Sequence, residues 1–599
     1  MQIIIQYVFY LAVLVVLAIP LGNYISKAMS GEKVFLSFLL RPCERGIYKL
    51  FHINENEDMT WKKYLVSVLC FSGVGLAVVF FLQIFQKYLP FNPQGVEGMS
   101  WDLSFNNAIS FVTNTDWQAY SGEAQMSYLT QALGLTVQNF ASAGTGIAVL
   151  FAFFRGFTRV RANGIGNFWT DLTRAVFYVL LPLSVVVSIL IVSQGVVQSG
   201  SAAETVQLIE PVAVDSDGNQ IENAVIDGDQ VTVDGVTVKD AVVVTKEIVP
   251  LGYAASQVSI KQLGTNGGGY YGGNSAYPLE NPTWFSNLIE MISILLIPAS
   301  LCFSFGREVK DKRQGRAIFI AMFLVLTVAL ASVAVSEQFA PTALTENETV
   351  NTSTDQQAGG NMEGKESRFG IAASAAWATF TTAASNGSVN SMHDSYTPLG
   401  GMTLMLLMEL GEVIFGGAGC GLYGMLAFAL LTVFIAGLMV GRTPEYLGKK
   451  IEPHEIKWTV LACLATPIAI LVGCGVAAAV PSVADSLHNA GAHGFSELLY
   501  AYSSAGANNG SSFAGFHADT GYLNLTLGAC MLFARFLPIA GILAIAGSMA
   551  QKKKIATTAG TLSTSNGLFI FLLIFVVLLI GALSFFPALA LGPIAEFFA

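Results

Sequence analysis

The chain has 599 residues, of which 53% are hydrophobic and only 12% are charged, and its formal net charge is −10 at pH 7. Because a soluble globular protein carries about 25% charged residues, this composition excludes an ordinary soluble enzyme and indicates a polytopic membrane protein. The lipid bilayer is therefore an expected partner of the chain, and no nucleic-acid partner is expected.

Ten apolar runs are long enough to cross a bilayer, which takes about 20 residues. In chain order they are Ile3–Ile25, Tyr64–Phe85, Thr130–Phe154, Ala175–Val197, Trp284–Phe305, Ala317–Val335, Met402–Val440, Trp458–Val480, Gly521–Met549 and Gly567–Leu591. The seventh run is too long for one straight helix. The first run lacks a basic leading region and a small-residue cleavage site, so we expect it to remain as a membrane helix rather than to be removed as a signal peptide.

Most Lys and Arg residues fall in alternate loops between these runs. The clusters are Lys27–Lys63, Arg155–Arg174, Arg307–Arg316, Arg442–Lys457 and Lys552–Lys554. Cytoplasmic loops of membrane proteins retain positive charge, so this distribution predicts that both termini lie on the extracytoplasmic side.

Four short polar stretches stand beside the predicted crossings, at residues 113–118, 263–271, 385–390 and 508–512. All combine small residues with Thr, Ser or Asn. Lipid-exposed irregular backbone is not tolerated at membrane depth, so each stretch is expected to line a protein-enclosed, water-filled cavity. Backbone carbonyls in such stretches can replace the hydration shell of an ion. We therefore interpret the four stretches as the four quarters of one selectivity filter.

Each polar stretch follows a short predicted half-helix and lies between two crossings. The half-helices are Trp101–Val112, a segment that ends near Leu263, roughly Arg368–Phe380 and roughly Gly494–Tyr502. The pattern predicts an all-α polytopic membrane protein in which four pseudo-repeated units of helix, pore loop and helix surround one pore. The expected boundaries are 1–62 for the first helix and its loop, 63–160, 161–312, 313–450 and 451–555 for the pore units, and 556–599 for the last helix.

The second unit carries an insert, Ser199–Pro250, in which Asp-Gly turns alternate with valine-rich segments such as Val231-Thr232-Val233. This pattern is typical of short β-hairpins, so we predict a small extracytoplasmic β subdomain. The aspartates do not form a twelve-residue calcium loop closed by Glu, and turn formation is the favoured explanation for them. A later outer segment, Glu337–Glu366, is rich in Thr, Asn, Glu and Gly and is expected to be irregular.

Two features of the last crossings point to an ion pathway. The glycine-rich segment Gly416–Gly421 is expected to break its helix, either as a gate or as a site of close helix packing. Glu412 and Arg535 each lie 25 residues after the glycine of the third and fourth polar stretches. Charges inside a membrane turn toward a partner or a cavity. We therefore expect these two to face each other or one pathway, either as a static salt bridge or with Arg535 as an electrostatic plug.

The seven cysteines indicate no disulfide framework and have no metal-ligand spacing with a histidine. We interpret nearly all of them as small buried hydrophobic residues. They are Cys43, Cys70, Cys302, Cys420, Cys463, Cys474 and Cys530.

Four motifs resemble those of a known family. They are Thr113–Glu123, Leu263–Gly269 together with Asn281-Pro282-Thr283, Gly411–Gly417, and Gly441–Lys450. In these motifs the chain closely resembles the KdpA family, the potassium-binding subunits of the bacterial Kdp potassium-transporting ATPases. The resemblance is expected to cover essentially the whole chain except the Ser199–Pro250 insert.

The resemblance implies a bacterial inner-membrane protein that selects potassium from outside and passes it to a KdpB-type P-type ATPase subunit. A KdpC-type subunit, and often a short KdpF-type peptide, would complete the assembly. The chain has neither an Asp-Lys-Thr-Gly phosphorylation motif nor a phosphate-binding loop, so it is not expected to be an enzyme by itself. No covalent cofactor is expected. K⁺ is the transported ion, and ATP and Mg²⁺ would bind only in the partner subunit.

The resemblance also implies which residues form the potassium filter. They are Thr113, Asn114, Thr115 and Asp116; Thr265, Asn266 and Gly267; Ser385, Asn386 and Gly387; and Asn508, Asn509 and Gly510. Asp116 stands where relatives often carry Asn, and Asn386 stands where some carry Cys. Gln118 is expected just outside the filter, where its amide either helps to dehydrate an incoming ion or stabilises the turn.

Three other functions stay open at this point. A stand-alone Trk/Ktr-type potassium uptake subunit would share the four-unit architecture but would need no ATPase. A sodium-coupled secondary transporter usually shows inverted halves rather than four parallel units. A structural membrane scaffold would need no filter.

Overall fold

The computed structural model describes residues 2–599 except 202, 217–218, 229, 340–358, 442 and 556–561. In this part of the chain the α-helices are α1 (Gln2–Met29), α2 (Ser37–Leu50), α3 (Trp61–Phe85), α4 (Trp101–Val112), α5 (Gly122–Gln125), α6 (Val137–Thr158), α7 (Phe168–Arg174), α8 (Leu181–Val192), α9 (Ala254–Leu263), α10 (Trp284–Glu308), α11 (Lys312–Phe339), α12 (Gly370–Ala383), α13 (Pro398–Glu409), α14 (Cys420–Met439), α15 (Pro453–Ala478), α16 (Pro481–Ala484), α17 (Gly491–Gly506), α18 (Gly521–Gln551), α19 (Gly567–Leu589) and α20 (Ala595–Phe598). The π-helical segment Thr130–Thr136 leads into α6, and a second one, Ala175–Leu180, joins α7 to α8.

Ten helical segments among the described residues are long and apolar enough to cross a membrane. They contain α1, α3, α6, α7 with α8, α10, α11, α14, α15, α18 and α19 with α20. Each of them overlaps one predicted apolar run. The structure therefore confirms the predicted all-α polytopic fold with ten crossings.

Four shorter helices, α4, α9, α12 and α17, lead into the four polar stretches. α4 has the predicted bounds and α9 ends at the expected residue, whereas α12 and α17 extend slightly further than predicted, to Ala383 and Gly506. Ser100 starts α4 as its N-cap, because its side chain accepts a hydrogen bond from the Leu103 amide. The C-terminal end of a helix carries partial negative charge. All four half-helices therefore place that end beside a polar loop.

The long Met402–Val440 run is broken, as predicted, but the break lies earlier than expected. α13 ends at Glu409 and α14 begins at Cys420, so residues 410–419 are not helical. The prediction placed the break at Gly416–Gly421, and its last two residues belong instead to α14. Gly411 and Gly419 bound the break with φ angles of 81° and 94°. Side chains rarely adopt such angles, which explains glycine at both points.

The insert forms a compact unit of its own, Val197–Ala254. Its strands are β1 (Ala203–Val214), β2 (Val225–Asp227), β3 (Gln230–Val233), β4 (Val236–Thr237) and β5 (Val242–Pro250). β1 pairs antiparallel with β5, and β2, β3 and β4 form an antiparallel sheet in that order. These strands confirm the predicted β structure.

Some predicted features fall on residues that the structure leaves out. The predicted turn residues 217–218 and 229 of the insert lie outside the described residues, and so does most of the predicted irregular segment, at 340–358. Elsewhere, the two short strands β6 (Glu445–Tyr446) and β7 (Lys449–Lys450) form an antiparallel hairpin between α14 and α15.

His493, at the start of α17, joins three segments through two carboxylates. Its Nδ1 lies 2.8 Å from Glu596 Oε1 in α20, and its Nε2 lies 2.9 Å from Asp394 Oδ1. The hydrogen bonds to Asp394 and Glu596 raise the pKa of His493 from 6.5 to about 10. Because the folded chain holds this proton more tightly than the unfolded chain, the cluster stabilises the fold fully below pH 6.5. Its contribution is lost as the pH rises through about 10.

We expect His493→Gln to lower the Tm of the purified chain at pH 6, and the difference from the wild-type Tm to shrink steadily as the pH rises from 6.5 to 10. Thermal unfolding followed over this pH range checks the prediction. His454→Gln is the matched control, because the His454 side chain is 62% exposed and should give the wild-type Tm. A Tm difference for His493→Gln that does not change with pH would contradict the assignment.

Candidate functional site: four converging loops

The four polar stretches share one backbone pattern, in which the first and third residues of a triplet have positive φ. The four loop triplets, with these angles, are Asn114 (66°) to Asp116 (53°), Thr265 (52°) to Gly267 (76°), Ser385 (54°) to Gly387 (82°), and Asn508 (51°) to Gly510 (98°). Two residues in the left-handed backbone conformation, separated by a single residue, are uncommon where they are not glycine. Its recurrence in four places shows that the four stretches are structural equivalents.

Glycine at the third position lets three of the four loops touch the next one. A Cβ atom built on Gly267 would lie 1.7 Å from the Asn386 carbonyl oxygen, one on Gly387 would lie 1.9 Å from the Asn509 oxygen, and one on Gly510 would lie 2.0 Å from the Thr115 oxygen. Real atoms cannot approach so closely. Each of these glycines therefore packs against the middle carbonyl of the following loop triplet, and the loops converge in a ring.

Side-chain hydrogen bonds connect neighbouring loops of the ring. Asn114 Nδ2 donates to the Thr265 carbonyl at 2.7 Å, Asn386 Nδ2 to the Lys261 carbonyl at 2.9 Å, and Asn509 Nδ2 to the Thr381 carbonyl at 2.9 Å. Further links between units run from Ser385 Oγ to the Ala507 carbonyl at 2.6 Å and from Asn508 Nδ2 to Thr115 Oγ1 at 2.9 Å. The amide and hydroxyl groups thus brace the loops against each other.

The middle backbone oxygens of the four loop triplets stay unpaired. Within the described residues, the carbonyls of Thr115, Asn266, Asn386 and Asn509 accept no hydrogen bond. These four residues are buried. A buried carbonyl without a partner is costly. Four of them in a converging ring form a site that a desolvated cation would satisfy.

Two residues of the first unit differ from the expected arrangement. Thr113 stands one residue before its loop triplet, and its Oγ1 lies within hydrogen-bond distance of the Ile109 carbonyl and of Thr115 Oγ1, at 2.9 and 2.7 Å. Asp116 occupies the position that is glycine in the other three units. One of its carboxylate oxygens lies 2.9 Å from the Asn139 side-chain amide once that amide is oriented to donate, and the other has no hydrogen-bond partner among the described residues.

Gln118 bridges the first and second loops. Its Oε1 accepts from the Gly269 amide at 2.7 Å, while its Nε2 donates to the Gly269 carbonyl at 3.3 Å and to Tyr120 Oη at 3.1 Å. All three contacts position protein groups. This geometry favours the stabilising role for Gln118 over direct dehydration of an ion.

A cavity of about 50 Å³ adjoins the ring at Asn508. Glu412 and Arg535 both belong to its lining, as do Cys420 and residues of α15. The helix break also reaches the ring here, because the Ala418 amide donates to Thr265 Oγ1 at 2.7 Å. Glu412 and Arg535 thus line the same cavity, and their place on an ion pathway stays a prediction.

Arg535 makes a different contact from the one that its charge suggests. Its Nη1 donates to Cys420 Sγ at 2.7 Å, and among the described residues no ion pair joins it to Glu412. Arg535 is 5% exposed and Glu412 is 8% exposed. Cys420 is therefore a polar partner of a buried cation rather than only a small hydrophobic residue.

A family model described as "KdpA: Potassium-transporting ATPase A subunit" matches residues 8–598 of this chain. The chain therefore belongs to the KdpA family. Its curated relatives include the "Potassium-transporting ATPase potassium-binding subunit" of Clostridium botulinum, which is 64% identical over 598 residues, covering 100% of this chain and 99% of the relative. The protein of the same name from Listeria monocytogenes is 54% identical over 596 residues, covering 100% and 99%.

These matches correct one expectation. The family model runs through the insert, and the alignment with the Clostridium botulinum KdpA protein covers nearly all of both chains. The prediction that the resemblance omits Ser199–Pro250 is therefore wrong, and relatives carry residues at the same place.

A solved structure shares the fold at low sequence identity. The potassium transporter TrkH from Vibrio parahaemolyticus superposes with a TM-score of 0.50, covering 89% of this chain and 96% of that one, at 13% identity. The likeness concerns the fold alone. This chain therefore shares its fold with a membrane transporter.

Sequence reasoning missed several polar residues behind the second loop. The Lys261 side chain is 1% exposed and pairs with Glu280. Gln262 donates to Glu290 at 3.0 Å and accepts from Ser388 Oγ of the third loop at 2.9 Å. The sequence does show ionisable and amide side chains next to a polar loop at membrane depth. Such side chains are usually functional there, so this pattern could have identified them.

We expect Gly387→Ala, and more strongly Gly387→Asp or Gly267→Asp, to open the ring, because a side chain there meets a backbone oxygen of the next loop. The measurement is the rise in Tm of the purified full chain on adding Li⁺, Na⁺, K⁺ or Rb⁺, which reports bound cation. The variants should lose most of that rise. Gly401→Ala is the control, since nothing lies within 4 Å of its Cβ position. A wild-type cation response in Gly387→Asp would refute the ring.

Proposed function

We propose that this chain is the potassium-selecting and translocating subunit of an ATP-driven potassium uptake complex. The observation that carries the proposal is the ring of unpaired middle carbonyls at Thr115, Asn266, Asn386 and Asn509. Carbonyl oxygens replace the water shell of K⁺ without requiring a charged ligand. The names of the KdpA relatives, which specify a potassium-binding subunit, agree with this chemistry.

The proposed complex supplies what the chain lacks. A KdpB-type P-type ATPase subunit would bind ATP and Mg²⁺ and receive the ion, with a KdpC-type subunit and a KdpF-type peptide completing the assembly. The complex would lie in the bacterial inner membrane with both termini of this chain outside. The distribution of Lys and Arg between alternate loops supports that orientation.

The cavity beside the ring supports a route that does not run straight through the chain. Arg535 is a buried cation in that cavity, and a fixed positive charge there repels K⁺ leaving the ring toward the other side. The non-helical residues 410–419 contact the ring through Ala418 and Thr265, which suits a gate. In this proposal Arg535 closes the direct path, and the break controls the way out to the ATPase subunit.

The decisive test of the complex is purification of the chain from its native membrane. We expect a P-type ATPase subunit to copurify and its ATP hydrolysis to be stimulated by K⁺. The fold shared with TrkH favours one competing function, a stand-alone potassium uptake subunit. That alternative gives potassium transport by the chain alone with no ATPase. Uptake that requires Na⁺ and no ATP would instead support a secondary transporter.

We expect Arg535→Gln to leave assembly normal but to uncouple ATP hydrolysis from net potassium uptake, because the direct path opens. Arg535→Lys, which keeps the charge, is the matched control and should retain most of the coupling. Subunit stoichiometry, hydrolysis rate and potassium flux are measured in reconstituted vesicles. Normal coupling without leak in Arg535→Gln rules out the plug, whereas failure to assemble supports a static structural role.

A further inference from the structure

Behind the second loop lies a fully buried ion pair that the ion pathway described above does not include. Lys261 lies in the last turn of α9, and Glu280 follows the loop on its other side. Lys261 Nζ and Glu280 Oε2 are 2.6 Å apart, and the two side chains are 1% and 0% exposed. Burying a charged pair at membrane depth is expensive. Its presence beside the carbonyl ring calls for a function.

All three donors of Lys261 and both carboxylate oxygens of Glu280 have partners in or beside the second loop. The Lys261 ammonium has three donors, and they reach Glu280, the Gly268 carbonyl at 3.1 Å and Asn274 Oδ1 at 3.0 Å. The other carboxylate oxygen of Glu280 accepts from the Tyr270 amide at 2.5 Å and from the Tyr271 amide at 3.2 Å. The pair therefore fixes the backbone from residue 268 to residue 271.

The Gly268 carbonyl accepts two hydrogen bonds from this network. It accepts from Lys261 Nζ and also from Asn274 Nδ2, the latter at 2.7 Å. A carbonyl with two protein donors has no lone pair free for an ion. Among the described residues the Asn266 carbonyl of the second loop is unpaired, whereas the network pairs the Gly268 carbonyl two residues later.

In the first unit an uncharged side chain binds the corresponding carbonyl. Ser110 stands four residues before its loop triplet, as Lys261 does, and its Oγ donates at 3.0 Å to the Trp117 carbonyl, which corresponds to Gly268. Thr381 and Ser504 occupy this place in the third and fourth units. Three units therefore carry a hydroxyl where the second carries an ammonium, so the charge is a special feature of this loop.

The ammonium is compatible with cation binding only because it is compensated. An uncompensated positive charge behind the ring would repel every cation that enters, since screening is weak in a buried site. Glu280 cancels this charge in direct contact, and Asp116 adds a carboxylate at the edge of the ring. Removing the charge of Glu280 alone would leave the Lys261 ammonium to repel cations. Removing both charges would end this repulsion but would also remove the hydrogen bonds that hold the loop.

We propose that Lys261 and Glu280 are positioning residues that determine ion selectivity: they hold the Gly268 carbonyl away from the ring, so that the number of carbonyls facing the ion stays fixed. The inference rests on the proposed potassium function. Lys261 acts through the Gly268 carbonyl, and Glu280 acts through Lys261 and the two amides. Neither residue touches the ion.

The test uses the assembled complex and three variants, Glu280→Gln, Lys261→Met and the double variant. Potassium-stimulated hydrolysis is measured against K⁺, Rb⁺ and Na⁺ concentration. Glu280→Gln should raise half-saturating K⁺ by about tenfold or more, because the ammonium is left unpaired. The double variant should return half-saturation to within about threefold of wild type, yet lower the preference for K⁺ over Na⁺ by about fivefold or more, because the Gly268 carbonyl is released.

Lys365 and Glu337 provide a matched control pair. Their charged atoms are 2.7 Å apart and both side chains are fully buried, but Glu337 bonds to Thr397 and Asn361, outside the ring. Removing both of these charges should lower the Tm of the complex and leave half-saturation and ion preference unchanged. This separates loss of a buried pair in general from loss of the pair behind the loop.

The outcomes are distinguishable. A wild-type complex without potassium-stimulated hydrolysis refutes the proposed function itself. A potassium-stimulated wild type together with wild-type half-saturation in Glu280→Gln, or with wild-type ion preference in the double variant, overturns the positioning role. If Glu280→Gln does not assemble, the double variant decides, since it leaves neither Lys261 nor Glu280 as an unpaired charge. If neither assembles, the pair serves folding only and the inference is wrong.

Discussion

The contact on which this structure depends is that between a glycine of one loop and a backbone oxygen of the next. Gly267, Gly387 and Gly510 approach these oxygens so closely that no side chain fits, and the approach brings the middle carbonyls together. Carbonyls gathered without hydrogen-bond partners are unfavourable unless a cation joins them. The short half-helices, the bracing amides and the surrounding crossings all serve to hold this arrangement in the membrane.

The four units are equivalents in backbone but differ in charge. The first places Asp116 where the others have glycine, and the second places Lys261 where the others have a hydroxyl. The third contributes Glu412 from a broken helix, and the fourth contributes Arg535. A ring of four identical subunits could not have these differences. Because the four units belong to one chain, each can carry its own charged residues, and our proposal assigns selection to the ring and diversion of the ion to Arg535.

The shared fold and the family membership establish different things about this chain. The likeness to TrkH at 13% identity establishes the architecture, which a channel-like uptake protein and a pump subunit can share. Family membership rests on identities of 54–65% over nearly whole chains. The residues that would distinguish the two functions lie beside the ring rather than in it, at the helix break and at the cavity that contains Arg535.

The sequence by itself determined the ten crossings, the half-helices and the polar loops, because hydropathy, helix length and the need for small residues in irregular backbone are local properties. Only the tertiary structure decided which loop atoms meet. Gly267 and Asn386, Lys261 and Glu280, and Arg535 and Cys420 are paired by packing between segments, which no local pattern encodes. The sequence also predicted the helix break several residues too late. The position of the break depends on where the chain must contact Thr265 and α6, and not on where glycines are most frequent.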